Sequence, residues 1–373
     1  MTLAGCRRAN LAGMEHPEIA RLRLLNQRIA GETCPDPAAA VCWMGALQAQ
    51  DYGQAMWAVG LRTQVPSLAT VEQAFANQQL ALTWPMRGTI HLVPAEDAAW
   101  MVKLMAPRIL KVENTRMKQF ELDDAIVERT KTVFYEALRG GRRLIRAEMM
   151  QQLAQAGINP EGQRGYFLLR YVAQQGHICL GPLQGRQQTF VLLDEWAPQP
   201  QQLSREAALE ELARRYFRSH GPATVHDFAN WTGLTVGDAR QGLEAVQREL
   251  ISAKVADKTY WFTTPTNAEP ATENIQLLPG FDEYLLGYKD RRAVLEPAHA
   301  TKVVPGGNGI FKPMVVVDGQ IVGTWKRTLK RGAIDVAVSF FEAASVSQEA
   351  IVVAAGRYCA FVGLPQGAVT VEP

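Results

Sequence analysis

Three times along this chain, apolar patterns of helical period are followed by two short apolar strands enclosing a polar turn. That repeated order constrains the fold more than any other feature. In the first copy, helical patterns span 19–30, 37–47 and 71–77, the last with Thr70 as its N-cap. Strands over 80–84 and 89–93 then turn through Pro85-Met86-Arg87-Gly88. The second copy has helices over 124–138, 146–156 and 165–175, then strands over 177–180 and 189–193 around the turn 184–188. In the third, helices over 205–220, 224–231 and 236–250 precede a hairpin over 251–263. Helices followed by a strand pair is the order of a winged helix. The reading is therefore an α+β fold of three tandem winged-helix units, at 14–105, 106–196 and 203–264.

The remainder changes character. A run over 275–281, a Val-rich hairpin turning at Asp318-Gly319 and further strand pattern over 334–340 predict a small β-barrel at 273–373, closed by a helix over 347–361. The Pro/Thr-rich stretch 263–272 reads as the linker before it, and residues 1–13 as a loose tail or as sequence upstream of the true start.

Composition narrows the class. With 373 residues, 47% hydrophobic and 20% charged, the chain can bury large cores. Its five cysteines include no C-x-x-C pair, which argues against a disulfide framework and a thiolate zinc site. The six histidines are scattered, so neither a metal nor another cofactor is expected. No apolar run approaches the roughly 18 residues of a membrane span. The expectation is a monomer in the reducing cytoplasm, associated with the nucleoid.

A net charge of +2 hides segregation, because segments 105–186 and 286–331 are basic and 187–285 is acidic. Basic surface gathered by folding suits a polyanion, through counterion release. The same charges also read as solvated faces. Candidate phosphate contacts are Arg87 at the first turn, Arg142, Arg143 and Arg146 in the second copy, and Lys312, Lys326 and Arg327 at C-terminal strand ends.

Gln48-Ala49-Gln50 follows the apolar helix that Asp36 and Pro37 begin. In an extended stretch, residues two apart point the same way, so both carboxamides can face one cleft and hold a water or a sugar oxygen. Two glutamines after a helix also serve simply to solvate a loop. Asp51 next to them reads as helix-end solvation rather than a base. Asp282 and Glu283 point to opposite faces if extended, and read as a structural link between the C-terminal part and the third unit. His91 reads as a satisfied core histidine and Trp57 as core.

Five stretches together resemble the AlkZ-type winged-helix DNA glycosylases, a family that includes the YcaQ branch. They are Leu47-Gln-Ala-Gln-Asp-Tyr52 with Ala55-Met-Trp57, Thr83-Trp-Pro-Met-Arg-Gly-Thr-Ile-His-Leu-Val93, Gly221-Pro-Ala-Thr-Val-His-Asp-Phe228, the run from Leu277 to Arg291, and Val322-Gly-Thr-Trp-Lys326. The resemblance implies a concave channel for duplex DNA and a Gln-apolar-Gln motif at its centre, which Gln48 and Gln50 match. The second glutamine, where the YcaQ branch has Asp, places the chain on the AlkZ side. The implied reaction is hydrolysis of the N-glycosidic bond of alkylated purines, including bulky adducts or interstrand crosslinks, without lyase chemistry. The alternative is a non-catalytic winged-helix DNA-binding regulator.

Overall fold

The structure is a computed structural model and describes residues 14–263, 275–307, 309–343 and 346–372. The tail at 1–13 and nearly all of the 263–272 linker lie outside them. One hydrophobic cluster runs from Met14 to Phe361, so the segments distinguished along the sequence share a continuous core.

The first two hairpins are not separate. Strands β1 (Leu47–Gln48), β2 (Leu80–Met86), β3 (Thr89–Pro94), β4 (Leu144–Ile145), β5 (Ile178–Gln184) and β6 (Gln187–Leu192) form one six-stranded sheet in the order β1-β3-β2-β5-β6-β4. It is antiparallel throughout, and the two hairpins join where Leu82 lies opposite Leu180. Every residue of β2 is buried. A strand covered on both faces reads as an unbroken apolar run, and such a run does not reveal what pairs along its second edge. The sheet is covered by helices that include Pro37–Met44, Ala98–Gln119 and Arg164–Gln174. The second of these is absent from the helices read along the sequence, and it carries Pro107 inside it. Ser67 rather than Thr70 caps the helix Leu68–Ala76: its hydroxyl accepts from the Thr70 N–H at 3.4 Å.

Helices Arg205–Ser219, Val225–Thr232 and Val236–Val246 precede the hairpin of β7 (Ile251–Val255) and β8 (Lys258–Phe262). The C-terminal part differs from expectation, because among the described residues its strands do not close into a barrel. Strands β9 (Ile275–Leu278), β10 (Met314–Val317), β11 (Gln320–Lys330), β12 (Ala333–Phe340) and β13 (Gln366–Glu372) form an open sheet in the order β13-β12-β11-β10-β9. The chain leaves β12 through the helix Gln348–Val362 and returns parallel to it as β13. A helical crossover imposes that parallel pairing. The same helix contacts both edge strands, β9 and β13, so it covers the sheet from one side rather than joining its edges.

Candidate functional site

The Gln48-Ala49-Gln50 motif lies between two helix boundaries. The Asp36 carboxylate accepts from the Ala39 N–H at 2.8 Å to start Pro37–Met44, and Gly45, at φ 77°, ends that helix. The chain then extends beside β3, with Leu47 opposite Leu92, Gln48 opposite His91, and the Ala49 N–H on the Ile90 carbonyl at 2.8 Å. Leu47 and Ala49 are buried, Gln48 is half-buried and Gln50 is exposed, so the glutamines share the outer side of the strand. Asp51 caps the next helix, Tyr52–Leu61, by accepting from the Gln54 N–H at 3.1 Å.

Each glutamine is held by hydrogen-bond partners from elsewhere in the chain. The backbone N–H of Gln48 donates to Glu283 Oε1 at 2.9 Å. The other oxygen of that carboxylate accepts from Trp231 Nε1 at 2.9 Å, and His220 Nε2 lies 3.8 Å from it. Glu283 is fully buried. Burial opposes its charge, but His220 and the Arg87 guanidinium outweigh that and hold its carboxyl well below the usual carboxylate range. The Gln48 Oε1 faces Arg87 Nη2 at 3.5 Å, and the Gln50 Oε1 accepts from the Ile90 N–H at 3.3 Å.

Arg87 and Gly88, at φ 54° and 73°, form a two-residue turn with both centres left-handed, which matches strand twist in a tight hairpin. This turn meets the rest of the molecule. A Cβ on Gly233, which ends the helix Val225–Thr232, would stand 3.4 Å from Arg87 Cγ, and one on Gly88 would stand 3.7 Å from both Arg170 and Gln174. The Arg87 side chain folds inward, with Nη2 3.2 Å from His91 Nε2. Because a guanidinium only donates, that nitrogen accepts, and His91 Nδ1–H donates to the Thr89 carbonyl at 3.0 Å. Burial, with the Arg87 charge beside it, lowers the His91 pKa to about 4, so the ring is neutral near pH 7.

The remaining basic candidates lie at various distances from this cluster. Arg142, Arg143 and Arg146 are exposed. Arg142 donates to the Glu136 and Arg139 carbonyls, and the other two lie over the rings of Trp196 (5.8 Å) and Tyr166 (4.5 Å). Lys312 is exposed, and Lys326 pairs with Glu372 at 2.8 Å. Arg327 approaches the motif: its Nη2 would stand 3.5 Å from a Cβ on Gly53. Nothing local in the sequence ties Glu283 to the motif or singles out Trp231 and His220. The signal lies instead in the family resemblance, since Glu283 falls in one of the stretches that carry it. Among the described residues, no group of three or more His, Cys, Asp or Glu is placed to hold a metal ion. Among those residues, no helix is long and apolar enough to cross a membrane.

Residues 41–361 match the family described as AlkZ-like, DNA glycosylase AlkZ-like. The chain belongs to the AlkZ-like DNA glycosylase family. It is similar to an interstrand DNA cross-link repair glycosylase of Streptomyces sahachiroi, 28% identical over 334 residues that cover 82% of this chain and 85% of the relative. The solved structure of the Streptomyces sahachiroi DNA glycosylase AlkZ superposes with a TM-score of 0.81 at 25% identity, covering 96% of this chain and 100% of the other.

Proposed function

We propose that this protein is a monofunctional DNA glycosylase that hydrolyses the N-glycosidic bond of N7- or N3-alkylated purines in duplex DNA, and that it unhooks interstrand crosslinks built on such purines. The observation that carries this reading is the pair of carboxamides, two residues apart on one side of an extended edge segment, anchored by Glu283 and the Arg87 hairpin tip. In this reading the segments 14–105, 106–196 and 203–264 act as winged-helix units. Together with 273–373 they surround a concave channel. Arg142, Arg143, Arg146, Lys312, Lys326 and Arg327 contact phosphates along it, and the protein acts as a monomer.

Neutral amides suit this substrate. An alkylated purine already carries positive charge and departs as a neutral base, taking the C1′–N electron pair, so it needs little help from a general acid. A water adds its oxygen to C1′ and releases one proton. Gln50 positions that water, and Gln48 orients either the water or the deoxyribose. Unmodified bases leave too slowly at such a site, so selectivity arises from the chemistry as well as from fit.

The test is single-turnover base release from a duplex containing N7-methylguanine, for the wild type, Gln48→Ala and Gln50→Ala. Each substitution is expected to slow release roughly 10- to 1000-fold. Undiminished rates in both variants would overturn the assignment, and salt-dependent DNA binding without any release by the wild type would favour a non-catalytic binder.

A further inference from the structure

Arg87 has an unusual environment for a hairpin-tip arginine. No carboxylate lies within ion-pair distance of it among the described residues, although burial disfavours its charge. Two acceptors face its Nη2: the neutral nitrogen of His91 at 3.2 Å and the carbonyl oxygen of Gln48 at 3.5 Å. Its backbone is left-handed, a conformation that crowds the Cβ of any residue but glycine. Backbone held in such a conformation tends to occur where the surroundings over-determine it. Here the surroundings are Gly233 on one side and Arg170 with Gln174 on the other.

We infer that Arg87 is a positioning residue, whose guanidinium fixes the Gln48 carboxamide with its oxygen toward the hairpin tip and its NH2 group turned away from it. The orientation follows from donor chemistry. A guanidinium cannot accept a hydrogen bond, so an amide nitrogen facing it would oppose donor to donor. The same logic applies to Gln50, whose Oε1 accepts from the Ile90 N–H. Each glutamine is therefore held by its oxygen and presents an N–H donor on its other end. A donor recognises an oxygen lone pair, whether of the water or of the deoxyribose. Glu283 complements this from the opposite side by anchoring the Gln48 backbone at 2.9 Å, leaving Arg87 to decide how the side chain is turned. The inference rests on the glycosylase reading for its catalytic consequence, but its geometric content does not depend on that reading.

The experiment has two arms on the full chain. In the first, nitrogen relaxation of the Gln48 side-chain NH2 is measured by NMR in the wild type, Arg87→Met and Arg87→Lys. The group is expected to be ordered in the wild type, mobile in Arg87→Met and reordered in part by Arg87→Lys; equal order in all three overturns the inference. In the second, single-turnover release from N7-methylguanine duplex and DNA affinity are measured for Arg87→Met, Gln48→Ala and the double variant. Arg87→Met is expected to slow release roughly 10- to 100-fold, with affinity within about twofold of wild type. The double variant should be no slower than Gln48→Ala, because Arg87 acts through Gln48. Multiplying losses overturn the inference, and so does a weakened affinity with a shallower salt slope, which would make Arg87 a phosphate contact. A wild type that releases no base, with Gln48 loosened in Arg87→Met, refutes the glycosylase reading while the positioning role stands.

Discussion

At the scale of single residues, Glu283 shows how a buried charge can organise a surface motif. Each of its oxygens accepts one N–H, from the Gln48 backbone and from Trp231 Nε1. A carboxylate can receive a donor at both ends, whereas an amide has a donor at one of its own. Glu283→Gln is therefore expected to leave one of the two N–H groups facing an NH2, costing roughly 1–3 kcal/mol. Thermal unfolding checks the stability loss, and base release should fall with it because the Gln48 backbone loses its anchor. The spacing of Gln48 and Gln50 was legible in the sequence, since alternation along an extended stretch is local geometry. The partners were not: Glu283 lies 235 positions from Gln48, and no local pattern encodes so distant a contact.

Elements show the same division. Asp51 caps the helix Tyr52–Leu61, which the helical patterns read along the sequence do not include, and Gly60 within it acquires meaning only from what packs on it. A Cβ there would collide with the Phe361 ring, which is itself buried against Trp57 at a centroid distance of 5.0 Å. Alanine is the better helix former by up to about 1 kcal/mol. The collision outweighs that gain because the ring is buried between Trp57 and Tyr358, so Gly60→Ala is expected to destabilise the fold by roughly 1–2 kcal/mol, read as a lower urea midpoint at unchanged slope. The C-terminal strands were likewise recognisable one by one. Whether they closed into a barrel depended on which edges met, and the helix Gln348–Val362, which contacts both edge strands from one side, returns the chain as the parallel strand β13.

For the whole molecule, the convergence of distant segments on the Arg87–Gly88 turn carries buried titratable groups with it, and these set the response to acid. His91 has its pKa lowered from 6.5 to about 4, by burial first and then by Arg87, while the nearby Glu283 charge opposes the shift. Burial also lowers the pKa of His220, which faces the same carboxylate. Between about pH 6.5 and 4 the unfolded chain binds a proton that native His91 does not, so stability falls as pH falls through that window, by about 3 kcal/mol for this group. Melting temperature is expected to be nearly flat above pH 7 and to decline below 6.5, and His91→Gln should flatten that decline; an unchanged pH profile in the variant would contradict it. The sequence by itself determined the three hairpins with the helices read before them, the Gln48-Ala49-Gln50 alternation and the stretches that resemble one glycosylase family, because period, turn chemistry and motif order are properties of neighbouring residues. Only the tertiary structure decided that two hairpins share one sheet, that the C-terminal sheet stays open, and that Arg87 turns inward to Gln48 and His91. Those outcomes depend on edge pairing and burial between residues far apart in the chain, where the free energy of a contact is set by what surrounds it rather than by the residue alone.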